Sequence, residues 1–273
     1  MPTMRWPLMG LVCVAILASV ACESFAQSSW RSRRDEPPST GTEGFQVPRR
    51  LIDNPTAGTL RRGSFDTELR AFPDGGMLGI LQIGLTNAWT VGIGYGGTNI
   101  IASNSPNWNP RLQFTTKFQI VGETITLPGI AIGYEDVGFG RWIDSLSRYQ
   151  VKSKGFYAVA SKAYRGAGFT SALHAGVNYS REVDDKDEDI SFFFGTDFRF
   201  DNNVGLVAEY DMALNDDRKP YAEGEGYGYL NAGARWMVLD RILMEFNLKD
   251  LTSNRRNSST IGRELRLIYV ESF

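Results

Sequence analysis

Cysteine is confined to the N-terminal segment. Cys13 and Cys22 are the only two, so from residue 23 onward neither a disulfide framework nor a thiolate metal site can form. Histidine is scarcer still: His174 stands alone, which excludes metal centres built from several imidazoles. After the N-terminus there is no run of about 20 apolar residues, the length a membrane-spanning helix needs. Neither sign of charge dominates. A net charge of −2 gives no basis for nucleic-acid binding, which calls for a concentrated basic patch. No cofactor or metal motif is expected.

What is present is 42% hydrophobic with a mean hydropathy of −0.25. These values suit a soluble protein and equally suit a membrane β-barrel, whose strands turn only every second residue to lipid. Residues 1–26 read as a signal peptide. Arg5 supplies the positive n-region, Leu8 to Ala21 the short apolar stretch, and Ser24-Phe25-Ala26 the small residues of a cleavage site. A rival reading is a lipoprotein signal, Ser19-Val20-Ala21-Cys22, with Cys22 lipidated. A third reading is an uncleaved anchor, and all three place the remainder outside the cytoplasm. Residues 27–59 turn to Ser, Pro, Arg and Gly, with Arg31, Arg33, Arg34, Arg49 and Arg50 making them basic. Few large apolar residues means little burial to offset ordering entropy. A disordered, basic periplasmic leader is the expectation.

From residue 60 to 273 the hydrophobic period becomes two, the mark of strands. Leu112, Phe114, Thr116, Phe118 and Ile120 alternate with polar neighbours, as do Ile242, Met244, Phe246 and Leu248. About twelve strands are expected, over 61–72, 77–86, 88–96, 111–121, 129–135, 153–163, 168–180, 190–200, 204–213, 227–238, 241–250 and 262–273. Tight turns alternate with longer polar loops at 97–110, 136–152, 181–189, 214–226 and 251–261. Two connections depart from this: 73–76 is short and 122–128 is long for its place in the alternation. The pattern predicts an all-β fold, a transmembrane antiparallel up-and-down barrel in a bacterial outer membrane with both termini periplasmic. Its surroundings would be outer-membrane lipid and lipopolysaccharide. Leu265, Leu267, Tyr269 and Phe273 share a face and resemble the C-terminal signal read by barrel-assembly machinery.

If aromatic and aliphatic positions face lipid, the alternate positions line the lumen. That set carries Arg70, Arg111, Lys117, Arg199, Arg235, Lys249 and Arg266, with Asp66, Glu68, Asp197, Glu209, Asp211, Glu245 and Glu264. The signs balance, whereas a selective pore would favour one. Balanced charge can close a narrow barrel through ion pairs, since buried charges need partners. A plugged scaffold and an open diffusion porin both remain.

Three stretches carry residue types found in chemical motifs. Gly92-Ile93-Gly94-Tyr95-Gly96-Gly97 has dinucleotide spacing but precedes a polar loop instead of a helix, so close strand packing explains it better. A barrel lipid hydrolase would place a serine two residues after its histidine; that position is Gly176, and parity sends His174 inward with Asn178. The acidic stretch Glu182 to Asp189 lacks EF-hand spacing, leaving a solvated loop.

Several stretches resemble the barrel domains of the YjbH-type outer-membrane proteins. They are Leu127-Pro128-Gly129-Ile130-Ala131-Ile132-Gly133-Tyr134, Arg148-Tyr149, Ser153 to Lys162, and His174 to Ser180. The resemblance covers roughly a quarter of the chain and implies a link to exopolysaccharide production. It implies a polysaccharide partner and brings no catalytic residues. The expected protein is therefore a non-enzymatic scaffold or narrow passage.

Overall fold

The structure, a computed structural model, describes residues 48–102, 105–166, 168–200, 203–239, 241–256 and 260–272. The expected signal peptide, residues 27–47 of the expected leader, and Phe273 lie outside the described residues. Twelve long strands carry the fold: β1 (Ser64–Phe72), β2 (Gly76–Thr86), β3 (Trp89–Thr98), β5 (Gln113–Val121), β6 (Gly129–Glu135), β9 (Gly155–Arg165), β10 (Phe169–Tyr179), β11 (Ser191–Phe200), β12 (Val204–Asp211), β13 (Tyr229–Leu239), β14 (Ile242–Lys249) and β15 (Gly262–Ser272). The numbers between belong to loop strands, the two-residue β4 (Asn107–Trp108) and the hairpin β7 (Phe139–Ile143) with β8 (Arg148–Val151). Every ladder is antiparallel, and each long strand pairs with its chain neighbours. Pairing of β1 with β15, from Ser64↔Ser272 to Ala71↔Leu265, closes the sheet on itself. The protein is a closed twelve-stranded all-β barrel.

The predicted alternation of connections is present. Six connections, the short 73–75 and the five long loops that include β4 and the β7–β8 hairpin, lie at one rim, here the long-loop end; the other five, tight turns except for 122–128, lie at the opposite, short-turn end. Along β1 the buried positions are Ser64, Asp66, Glu68 and Arg70, and Thr67 and Leu69 face out. Elsewhere Phe114, Phe118, Ile132, Phe192, Phe194, Leu206, Phe246, Leu265 and Leu267 are exposed on the outer wall. Exposed aromatics concentrate toward its two edges: Tyr95, Trp108, Phe156 and Tyr179 at the long-loop side, Trp89, Phe200, Trp236 and Tyr269 at the other. Tyr95 stacks on Trp108 with ring centroids 5.6 Å apart. An apolar band between aromatic girdles is the surface that a lipid-embedded barrel requires. In water, so large a contiguous apolar patch would be an aggregation hazard.

The glycine run lies on β3, followed by a loop. A Cβ on Gly96 would sit 2.2 Å from the Met77 carbonyl oxygen and 2.8 Å from Leu78 Cα. Backbone cannot yield that much without breaking the β2–β3 ladder. Gly96→Val is expected to abolish the compact barrel, read as loss of the faster-migrating band of unheated protein on a detergent gel; an unchanged band would contradict this packing.

Candidate functional site

The lumen is full. Residues 48–59, expected to be part of a disordered leader, lie inside the barrel: Leu51, Ile52, Asn54 and Thr56 are 0% exposed. They form a hairpin closed by Leu51 N–H to the Asn54 carbonyl (2.8 Å), Thr56 N–H to the Arg49 carbonyl (3.2 Å) and an Arg50–Pro55 bridge. The expectation failed because it assumed that apolar burial alone offsets ordering. Here, hydrogen bonds from ionised wall side chains do so instead, and those are the strong kind.

Strand register builds the cradle. One hydrogen-bonded row runs across five strands as Ser161, His174, Gly195, Glu209 and Asn231. In it the Glu209 carboxylate accepts the N–H groups of Ile52 (3.0 Å), Asp53 (2.9 Å) and Asn54 (3.0 Å), while Asn231 steadies it at 2.8 Å. Gly195 leaves room for Leu51, whose Cδ1 would be 2.3 Å from a Cβ there. A second row, Arg235, Glu245, Arg266 and Arg70, treats the carbonyls of the same turn. Arg70 and Arg266 each donate to the Ile52 carbonyl at 2.8 Å; Arg266 and Arg235 each donate to Leu51 at 2.8 Å. Glu245 bridges Arg235 (2.8 Å) and Arg266 (2.5 Å). A third row joins Asp66 through Gln82, Gly92 and Thr115 to Glu135. Its two carboxylates meet Arg49 and Arg50 respectively. Lys117 donates to the Arg49 and Gly58 carbonyls at 2.6 and 3.0 Å. Asp53, at the tip, is held by Arg70 (3.0 Å) and Lys249 (2.7 Å).

Most predicted lumen residues are therefore where parity put them. Asp197 pairs with His174, Lys154 with Asp211, and Glu264 lies near Arg70 and Lys249, both at 3.5 Å; Arg199 is partly buried beside Asp197. Arg111 is the correction. It precedes β5, is exposed, and its guanidinium lies 5.6 Å from the Trp142 ring at the rim. Parity holds only while the chain is in a strand. Leu265, Leu267 and Tyr269 face outward as expected.

His174 does meet a serine, from the neighbouring strand. Its Nδ1 lies 2.8 Å from Ser161 Oγ and its Nε2 2.9 Å from Asp197 Oδ1. The same Ser161 oxygen accepts the Ala57 N–H of the hairpin at 2.8 Å, and all three side chains are buried. The serine is an anchor for the hairpin.

The long-loop end is also covered. In the acidic stretch 182–189, expected to be solvated, Asp184, Lys186, Glu188 and Asp189 are exposed, but Glu182, Asp185 and Asp187 are buried, with Glu182 and Asp185 against the β7–β8 hairpin. Arg148, 0% exposed, reaches Asp185 at 2.6 Å and Asp216 at 2.7 Å. Glu182 accepts the Tyr149 N–H at 3.0 Å and the Ser153 N–H at 3.3 Å. Burial pushes the Glu182 carboxyl above its usual range, against the pull of these donors. Burial alone would lower the Arg148 pKa, but Asp216 and Asp185 outweigh it and raise it. These carboxylates are engaged by cations and amides, and among the described residues no cluster has metal-binding geometry. Phe139 descends from this lid onto the plug, with Arg70 and Lys249 each 4.6 Å from its ring centre. A cavity of ≈ 50 Å³, bordered by Asp53, Phe139, Asn231, Lys249 and Glu264, remains between lid and plug tip.

No family model and no curated protein matches the chain. Among solved structures it is similar to an outer membrane channel from Pseudomonas putida F1, at 13% identity and a TM-score of 0.45, covering 81% of this chain and 100% of that one. It is similar to the KdgM porin at 10% identity and a TM-score of 0.43, covering 77% and 99%. It is similar to Omp33 of Acinetobacter baumannii at 9% identity and a TM-score of 0.42, covering 77% and 97%.

Proposed function

We propose that this chain is a non-enzymatic barrel of a bacterial outer membrane, held closed by its own N-proximal hairpin, and that it serves as a scaffold or regulated narrow passage. The carrying observation is the filled lumen: Glu209, Arg70, Arg235, Arg266 and Lys117 satisfy the backbone of residues 49–58. That many charge-assisted bonds define a bound state. The outward apolar band supports residence in lipid. The resemblance to YjbH-type proteins suggests work beside envelope polysaccharide, with lipopolysaccharide and barrel-assembly machinery as surroundings. A constitutively open diffusion porin would need an empty lumen.

Purified full-length protein should migrate faster unheated than boiled, and should give no stable conductance steps in a planar bilayer. A folded preparation with regular steps would replace this reading with the diffusion porin.

A further inference from the structure

The hairpin is placed to leave by the way it came. Its two limbs lie together at the short-turn end. Thr56 Oγ1 donates to the Pro48 carbonyl, and Thr59 Oγ1 donates to the carbonyl of Asn87, in the β2–β3 turn, at 2.8 Å. The turn and the Arg50 side chain beside it reach the level of Lys249 and of Phe139 beneath the lid. Among the described residues no limb threads the barrel, so their withdrawal requires no unknotting. Its grip is mostly polar, with Leu51, Ile52 and Ala57 its buried apolar contacts.

Withdrawal does not leave the wall electrically neutral. Arg70 and Lys249 lose Asp53 with the hairpin, but every cation of this group retains a wall carboxylate: Arg70 keeps Glu68 and Glu264, Arg235 and Arg266 share Glu245, Lys249 shares Glu264, and Lys154 keeps Asp211. Asp66 and Glu135, by contrast, have their ion pairs with Arg49 and Arg50, which depart. Glu209 loses three amide donors and keeps Asn231. Against these three carboxylates stands Lys117, which loses both of its hairpin carbonyls. Asp66 and Glu135, at the two ends of one row, and Glu209 on β12 are then carboxylates in a low-dielectric wall without a cation of their own, and such groups favour cations.

We propose that the Arg49–Thr56 hairpin is a withdrawable stopper whose arginines neutralise Asp66 and Glu135, and that the passage it uncovers is selective for small cations. This rests on the closed-barrel reading. The test uses the full chain carrying Arg49→Glu and Arg50→Glu, which sets like charges against Asp66 and Glu135, with folding checked by heat-modifiability. Eviction is read from maleimide labelling of Ile52→Cys in that background. A chain lacking residues 48–58 is the second variant, should the charge reversal fail to fold or fail to evict. Measured in a potassium chloride gradient, the evicted forms should conduct, with a reversal potential of cation-selective sign. Adding Asp66→Asn and Glu135→Gln should move that potential toward zero. An evicted barrel that stays silent, or one that prefers chloride, overturns the proposal. Conductance in the unaltered protein would instead overturn the closed-barrel reading, while the sign of its reversal potential still decides the selectivity.

Discussion

Glu209→Ala is expected to free the tip of the hairpin while the barrel stays folded. One carboxylate accepts three consecutive backbone N–H groups, from Ile52, Asp53 and Asn54, at a site 2% exposed. Each buried donor left without a partner costs about 1–3 kcal/mol. Three together shift the docked equilibrium by at least ~3 kcal/mol, on the order of 100-fold. The measurement is the rate of maleimide labelling at Ile52→Cys, with and without the Glu209 change. Glu209→Gln retains an acceptor oxygen and should fall between the two. Equal rates in all three would mean that Glu209 does not hold the tip.

The second large effect is expected at Glu245. It lies between Arg235 and Arg266, all three being about 1% exposed. Glu245→Leu strips two buried guanidiniums of their shared carboxylate, a change costing about 3–5 kcal/mol when charge is left uncompensated. The temperature at which the unheated gel band converts should fall by on the order of 10 °C. The triple change Glu245→Leu, Arg235→Met, Arg266→Met removes the stranded charge as well, and should recover most of that loss. It also removes the donors to the Leu51 and Ile52 carbonyls. The triple variant should therefore combine a stable barrel with a loosened hairpin. A triple variant less stable than Glu245→Leu would refute the charge argument.

How far the sequence discloses this arrangement depends on the kind of interaction. Two-residue alternation places Asp66, Glu68 and Arg70 indoors without further information, because side chains in a strand point to opposite faces. The same alternation misplaces Arg111, which lies beyond the strand end where the rule stops applying. Neighbours across strands are set by register. Nothing in the order of residues says that Glu245 faces both Arg235 and Arg266, or that Ser161 meets His174. Hence a serine sought two positions after the histidine was found one strand away. The hairpin itself carries a faint signal: Leu51-Ile52 followed by the turn-forming Asp53-Asn54-Pro55. Its composition resembles that of solvated chain because its partners are supplied by distant strands. Glu135, Asp53 and Arg50 were missed for the same reason.

The seam between β1 and β15 has a consequence for how the molecule comes together. Every other ladder of the barrel joins long strands consecutive along the chain, whereas this one joins residues 64–71 to 265–272. Closing a loop of roughly 200 residues costs about 5 kcal/mol in chain entropy by the logarithmic rule, beyond a constant, before any ladder bond is made. The hairpin immediately precedes β1, yet it is gripped by Arg266 on β15, Lys249 on β14 and Arg235 on β13. It thus links the opening strand to the closing ones from inside, through separations of 184 to 215 residues. Part of the entropy of circularising the sheet is shared with the docking of this segment. The stopper is also a template, a clasp for the two ends of the wall that encloses it.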